Sequence, residues 1–158
     1  MQEYRLAVGV VMQRRALNNR WQSESWEAIA VVPDETTGVC AVQSLREDAQ
    51  LSQWLHTGFA IELFRDEAEN YFLNLSSDKP CVFVMWRMEG ESALPKTVTL
   101  SYGEAARMMD ADEKVDNVPL PEPLHLWLEG FVSKYYRPEP KKKRIRPPSF
   151  RGARRSDP

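Results

Sequence analysis

The residues best suited to chemistry lie near the start of the chain, where Arg14, Arg15 and Arg20 stand close to Trp21 and Trp26. Guanidinium groups hold carboxylates and phosphates in a bidentate way and indoles stack, so these five could form a cationic, aromatic surface for an anion. The same pattern fits a strand end with two core tryptophans, because Trp is highly buried on average in any fold. Asp66, Glu67 and Glu69 beside Arg65 form a second set. Paired carboxylates serve acid/base catalysis or hold a hard cation. Neighbouring residues rarely aim at one point, however, and such a charge run reads as a solvated turn. His56 could carry a proton, but a strand histidine with no identifiable partner reads as structural.

Other chemistries lack their residues. The chain has two histidines, His56 and His125, too few for a zinc enzyme or an obvious histidine base. No nucleophile elbow, HExxH or Walker loop occurs. Cys40 and Cys81 belong to no metal or redox spacing and, each flanked by strand-forming residues, read as buried free thiols. No catalytic residue, metal or cofactor is expected, and a non-catalytic protein is favoured over an enzyme.

The elements that must position these residues follow from the hydrophobic pattern. Tyr4 to Arg15 reads as a long strand ending in a turn at Asn18 and Asn19. Trp26 to Val32 and Val39 to Leu45 read as a hairpin around Pro33 to Gly38. Gln53 to His56 and Phe59 to Phe64 are two short strands with a bend or bulge at Gly58. Asp66 to Asn70 is a turn, Tyr71 to Leu75 a strand, and Cys81 to Met88 a central strand buried on both sides. After a loop from Glu89 to Pro95, Thr97 to Leu100 is a strand, and Ser101 with Glu104 forms a capping box opening a short helix to about Met109. Prolines 119, 121 and 123 make an extended entry to an amphipathic helix with Leu124, Trp127, Leu128, Phe131 and Tyr135 on one face. The fold class predicted is α+β, with a mainly antiparallel curved sheet or small barrel and the C-terminal helix closing one side.

At 158 residues the chain suits one core, and its charge divides at Arg137. Residues 137–158 hold nine Lys or Arg against two acids, a net +7, which leaves 12 basic and 21 acidic residues, or −9, for residues 1–136. Residues 1–136 therefore read as a single β-rich domain and 137–158 as a disordered basic tail. Lys141, Lys142, Lys143, Arg144, Arg146, Arg151, Arg154 and Arg155 are its candidate contacts, for an acidic protein surface or, less favoured, nucleic acid. The apolar run near the N-terminus is too short for a signal-peptide core or a membrane span, so a cytoplasmic protein is expected.

Several stretches, in their order along the chain, carry a resemblance. They are Arg14, Arg15, Arg20 and Trp21 before the Ala28 to Val32 strand; His56, Gly58, Leu63, Arg65, Glu67, Glu69, Tyr71, Asn74 and Leu75; Pro80 with Val82 to Val84; and Pro121, Leu124, Trp127 and Phe131 before the Lys and Arg cluster. Together they resemble the bacterial domain-of-unknown-function family 3305. That resemblance implies genes near those of formate dehydrogenase and other molybdenum enzymes, and a label, on some members, of molybdopterin-guanine dinucleotide biosynthesis. None of the seven glycines sits in a phosphate-binding loop, so a nucleotidyltransferase is not expected. The resulting expectation is a non-catalytic accessory or assembly protein for a molybdenum-dependent formate dehydrogenase system, gripping a protein partner through the Arg and Trp surface and the tail. The alternatives are a small-molecule or cofactor-handling enzyme, which needs one pocket gathering Arg14, Arg20, Trp21 and His56, and a nucleic-acid binder acting through the tail.

Overall fold

A computed structural model describes residues 4–35 and 38–138. The long apolar strand read from the sequence is present as β1 (Arg5–Ala16) and is the organiser of a four-stranded antiparallel sheet in the order β2-β1-β4-β3. β2 (Glu24–Pro33) lies along one side of β1, and β4 (Leu51–Glu62) along the other. β3 (Val42–Glu47) pairs only with β4 among the described residues. The expected hairpin of β2 and β3 therefore does not form. Both strands find nearer partners across shorter turns, at Asn18 and Asn19 and at Asp48 to Gln50, and end on opposite edges of the sheet.

The two short strands expected around Gly58 are one strand, β4, with an irregularity where the pairing jumps from Val8 opposite Phe59 to Val10 opposite His56. Gly58 has φ +98°, a backbone shape that other residues rarely adopt. A Cβ there would lie 2.8 Å from Cys40 Cα and 2.6 Å from its Sγ. Gly58→Ala is expected to cost about 2–4 kcal/mol, combining backbone strain with the clash. A thermal melt indistinguishable from wild type would show that the bulge relaxes freely. Cys40, expected to be buried in a strand, is exposed in the connection that precedes β3 at Val42; Cys81 is half-buried, and both thiols are free.

A second antiparallel sheet, in the order β6-β5-β7, is built from β5 (Cys81–Glu89), β6 (Ser92–Thr99) and β7 (Lys114–Pro119). β5 is central, and Val82 to Trp86 are buried as the apolar run predicts, whereas Arg87 and Met88, expected to be buried with them, are exposed where the strand runs past the core. Val82, Val84 and Trp86 join the main core, while Phe83 meets Tyr102 edge-on at 5.8 Å on the other side. The stretch read as a loop up to Pro95 is strand from Ser92. Pro95 is accommodated because β6 is an edge strand and the pairing shifts beside it, between Met85 and Trp86. β7 is unforeseen, being short and polar with only Val118 fully buried.

Among the described residues three α-helices complete an α+β fold in which no barrel closes. Tyr71 to Leu75, read as a strand, belongs to α1 (Ala68–Leu75), which follows a 3-10 turn at Arg65–Glu67. Ala68, Tyr71 and Asn74 are its buried residues, a spacing of three that belongs to a helix. α2 (Tyr102–Asp110) starts at Ser101, whose Oγ accepts the Glu104 N–H at 3.0 Å. The reciprocal half of the expected capping box comes from elsewhere, as Ser101 N–H donates to Thr99 Oγ1 at 3.0 Å. α3 (Glu122–Tyr135) buries Leu124, Leu128, Phe131 and Val132. The two sheets and α3 close one core, with Val8, Val10, Met12 and Ile61 of the first sheet facing Val82, Val84 and Val118 of the second.

A tryptophan-walled cleft between the sheets

Cross-strand partners in a sheet point to the same side. Arg14 sits opposite Trp26 and Ser52, and Met12 sits opposite Ala28 and Trp54. Met12 is fully buried in the core, so its side of the sheet is the inner one, and Trp26, Trp54 and Arg14 continue that side toward the end of β1. There the second sheet no longer covers it. Trp26 and Trp54 reach across β1 and stack, with ring centroids 5.4 Å apart and planes 19° from parallel. Trp26 Nε1 donates to Glu24 Oε1 at 3.2 Å. Glu24 Oε2 accepts from Arg14 Nη1 at 3.3 Å, and Arg14 Nη2 donates to Ser52 Oγ and to the Asp48 carbonyl, each at 3.3 Å. Arg14 is thus a strut tying β1, β2 and β4 together beneath the tryptophan.

The opposite wall comes from the second sheet. Trp86 on β5 pairs with Lys114 on β7, whose ammonium lies 5.3 Å from the indole centroid. Asp116 Oδ2 accepts from Trp86 Nε1 and from the Ala28 N–H of β2, both at 2.8 Å. That one carboxylate oxygen bridges the two sheets beside the irregular pairing that follows Val11 on β1. Between the walls lies a cleft of about 570 Å³ lined by Trp21, Glu24, Trp26, Trp86, Met88 and Lys114, with residues 22–25 along one side. Trp21 stands at its mouth, 86% exposed, under the guanidinium of Arg20 at 6.0 Å.

Of the five residues singled out for binding, Trp21 and Trp26 line this cleft, Arg20 is on its rim and Arg14 is beneath it. Arg15 is exposed on the other face of the sheet, as alternation along β1 requires. Arg14, Arg20 and His56, which the small-molecule alternative would gather with Trp21, do not line this cleft. Trp86, Met88 and Lys114 were not foreseen. Trp86 lay inside an apolar run that reads only as core, and Lys114 begins the strand that the sequence pattern missed.

The acidic set disperses. Asp66 and Glu69 are exposed, while Glu67 accepts from Ser101 Oγ at 2.6 Å and pairs with Arg107 at 3.7 Å, joining the 3-10 turn to α2. Among the described residues no group of three His, Cys, Asp or Glu is placed to hold a metal ion. No helix of the described residues is long and apolar enough to cross a membrane. The candidate tail contacts Lys141, Lys142, Lys143, Arg144, Arg146, Arg151, Arg154 and Arg155 lie outside the described residues.

His56 faces Val10 and Val42 across β4 and is buried, which holds its pKa below the ordinary 6.5. The unfolded chain takes up that proton as pH falls through 6.5, whereas the folded chain resists until lower pH. Stability therefore falls with acidification over that window. Urea midpoints measured between pH ~5 and ~7.5 are expected to drop less in His56→Gln than in wild type; parallel curves would exclude His56 as the source.

Fold and cleft together define an α+β domain of two antiparallel sheets that leave an aromatic trough where they part. The family model described as protein of unknown function, DUF3305, matches residues 7–145, and the chain belongs to that family. The match runs through the whole cleft and on into Lys141 to Arg144. No curated protein and no solved structure matches the chain.

Proposed function

We propose that the chain is a non-catalytic binding or assembly protein that grips a partner protein through the tryptophan cleft, in the service of a molybdenum-dependent dehydrogenase of the formate type. The observation that carries the binding reading is the convergence of three indoles on one open cleft, with Trp21 exposed at its mouth. Tryptophan is the residue most concentrated at the energetic centres of interfaces, where it supplies area and one polar handle. Here the rings are held in place before any partner arrives: Trp26 by Trp54 and Glu24, Trp86 by Asp116 and Lys114. Such preorganisation lowers the entropy cost of association. The dehydrogenase context comes from the gene neighbourhood implied by the family resemblance. The basic run at Lys141 to Arg144 falls within the matched family span and offers a second contact for an acidic partner surface.

The test is affinity capture with the full chain, the double variant Trp21→Ala/Trp26→Ala and a chain truncated at Arg137, read against a formate dehydrogenase and its maturation proteins. Wild type is expected to retain the dehydrogenase or a maturation protein, the double variant to lose roughly ten-fold or more in recovery, and the truncated chain to lose less. Equal recovery by wild type and the double variant would remove the cleft from the mechanism. Recovery of neither dehydrogenase nor maturation proteins would remove the proposed context.

A further inference from the structure

We infer that the cleft is built for an acidic peptide segment, seating an aromatic or large apolar side chain on Trp26 and Met88 with a neighbouring carboxylate on Lys114 and Arg20. This deepens the partner-binding reading of the cleft and rests on it. The charges around the trough are unequally engaged. Both oxygens of Glu24 are taken, by Arg14 and by the Trp26 indole, and Asp116 is turned to the Ala28 and Trp86 N–H groups. Lys114 and Arg20 make no ion pair among the described residues; each lies over an indole, Lys114 on Trp86 at 5.3 Å and Arg20 on Trp21 at 6.0 Å. An aromatic face fixes a cation's position without neutralising it. An incoming carboxylate thus meets two placed positive charges beside apolar rings.

The shape and the surroundings select a peptide. Trp21 and Met88 are 86% and 42% exposed, so the trough is open along its mouth. A small ligand would remain largely in water there, whereas small-molecule sites bury roughly 70–90% of their ligands. An extended segment needs only alternate side chains held, which an open trough provides. The net −9 of residues 1–136 repels a long polyanion such as nucleic acid. A short acidic stretch beside an aromatic anchor escapes most of that repulsion and still reaches Lys114 and Arg20.

The experiment is selection of a random short-peptide display library on the full chain, followed by fluorescence anisotropy of the enriched peptides with wild type, Lys114→Gln, Arg20→Gln and Trp21→Ala/Trp26→Ala. Enriched peptides are expected to pair Asp or Glu with an aromatic residue, to weaken roughly three-fold or more with each of the Lys114 and Arg20 variants, and to be lost with the double tryptophan variant. Replacing the peptide acids with Asn and Gln should weaken binding in the same way. Peptides that depend on the tryptophans but ignore Lys114, Arg20 and their own acids would overturn the acidic partner and leave the cleft as a partner site. Peptides indifferent to the tryptophans, or no enrichment at all, would overturn both. Saturable displacement of enriched peptides by AMP would move the site to small anionic ligands and likewise overturn the inference.

Discussion

Asn74→Ala is expected to remove about 3–5 kcal/mol of stability, a large share of what a domain of this size possesses. Asn74 is 1% exposed, in the last turn of α1, and its amide is shared by three backbone groups of two residues, Cys81 and Leu100. Nδ2 donates to the Cys81 carbonyl at 2.8 Å and to the Leu100 carbonyl at 3.1 Å, and Oδ1 accepts the Cys81 N–H at 3.0 Å. The start of β5 and the residue that follows β6 are thereby fastened to one side chain. Truncation leaves these groups without their partner where water is scarce, and each unmade bond costs about 1–3 kcal/mol. Asn74→Asp separates the terms: it keeps an acceptor for Cys81 N–H but places negative charge against two carbonyls, so it should be at least as damaging as Ala. Urea denaturation decides the matter. The midpoint should fall steeply in both variants with an unchanged slope, and a variant within about 1 kcal/mol of wild type would show that the three groups find other partners.

Asp116→Ala is the second large effect, about 3 kcal/mol, and it has a functional echo. One oxygen of Asp116 receives the Trp86 indole N–H of the second sheet and the Ala28 N–H of the first. Two donors lose their partner at once, and a charged acceptor makes stronger bonds than a neutral one. The same oxygen holds Trp86 upright as a wall of the cleft, so the variant should also shift tryptophan emission and weaken partner capture beyond what its stability loss explains. Asp116→Asn retains an acceptor oxygen and should fall between the two. Capture that tracks stability alone across Ala, Asn and wild type would reduce Asp116 to a structural fastener.

What could be read in the sequence was local. Strong apolar runs placed β1 and β5, the Ser101 signal placed the start of α2, and the spacing from Leu124 to Tyr135 placed α3. What escaped depended on partners distant in sequence. β3 went to β4 because the bend at Asp48 let it, and nothing within Val39 to Leu45 states that preference. Tyr71 to Leu75 carries strand-forming aromatic and apolar residues, yet it is helical because Asn74 must face inward with Ala68 and Tyr71. The cleft divided in the same way. Trp21 and Trp26 announced themselves by density near three arginines, whereas Trp86 and Lys114 reach them only because the second sheet packs against β2. The alternating geometry of a strand also parts Arg14 from Arg15, so a cluster in sequence became a strut and a surface charge.

β3 is exposed along its whole length, and its pairing with β4 skips a residue between Ser44 and Arg46. A straight edge strand carrying Val42 and Leu45 would be an open template for another chain. The skipped residue at Leu45 breaks the regular spacing of amides that an added strand must match, and Arg46 and Glu47 put charge where such a strand would lie. Sheet growth is thus discouraged at this edge while Asp116 occupies a backbone donor of β2 at the other. The first sheet can therefore hold its side of a sticky aromatic trough open for a partner while both of its edges resist the addition of a strand from another copy.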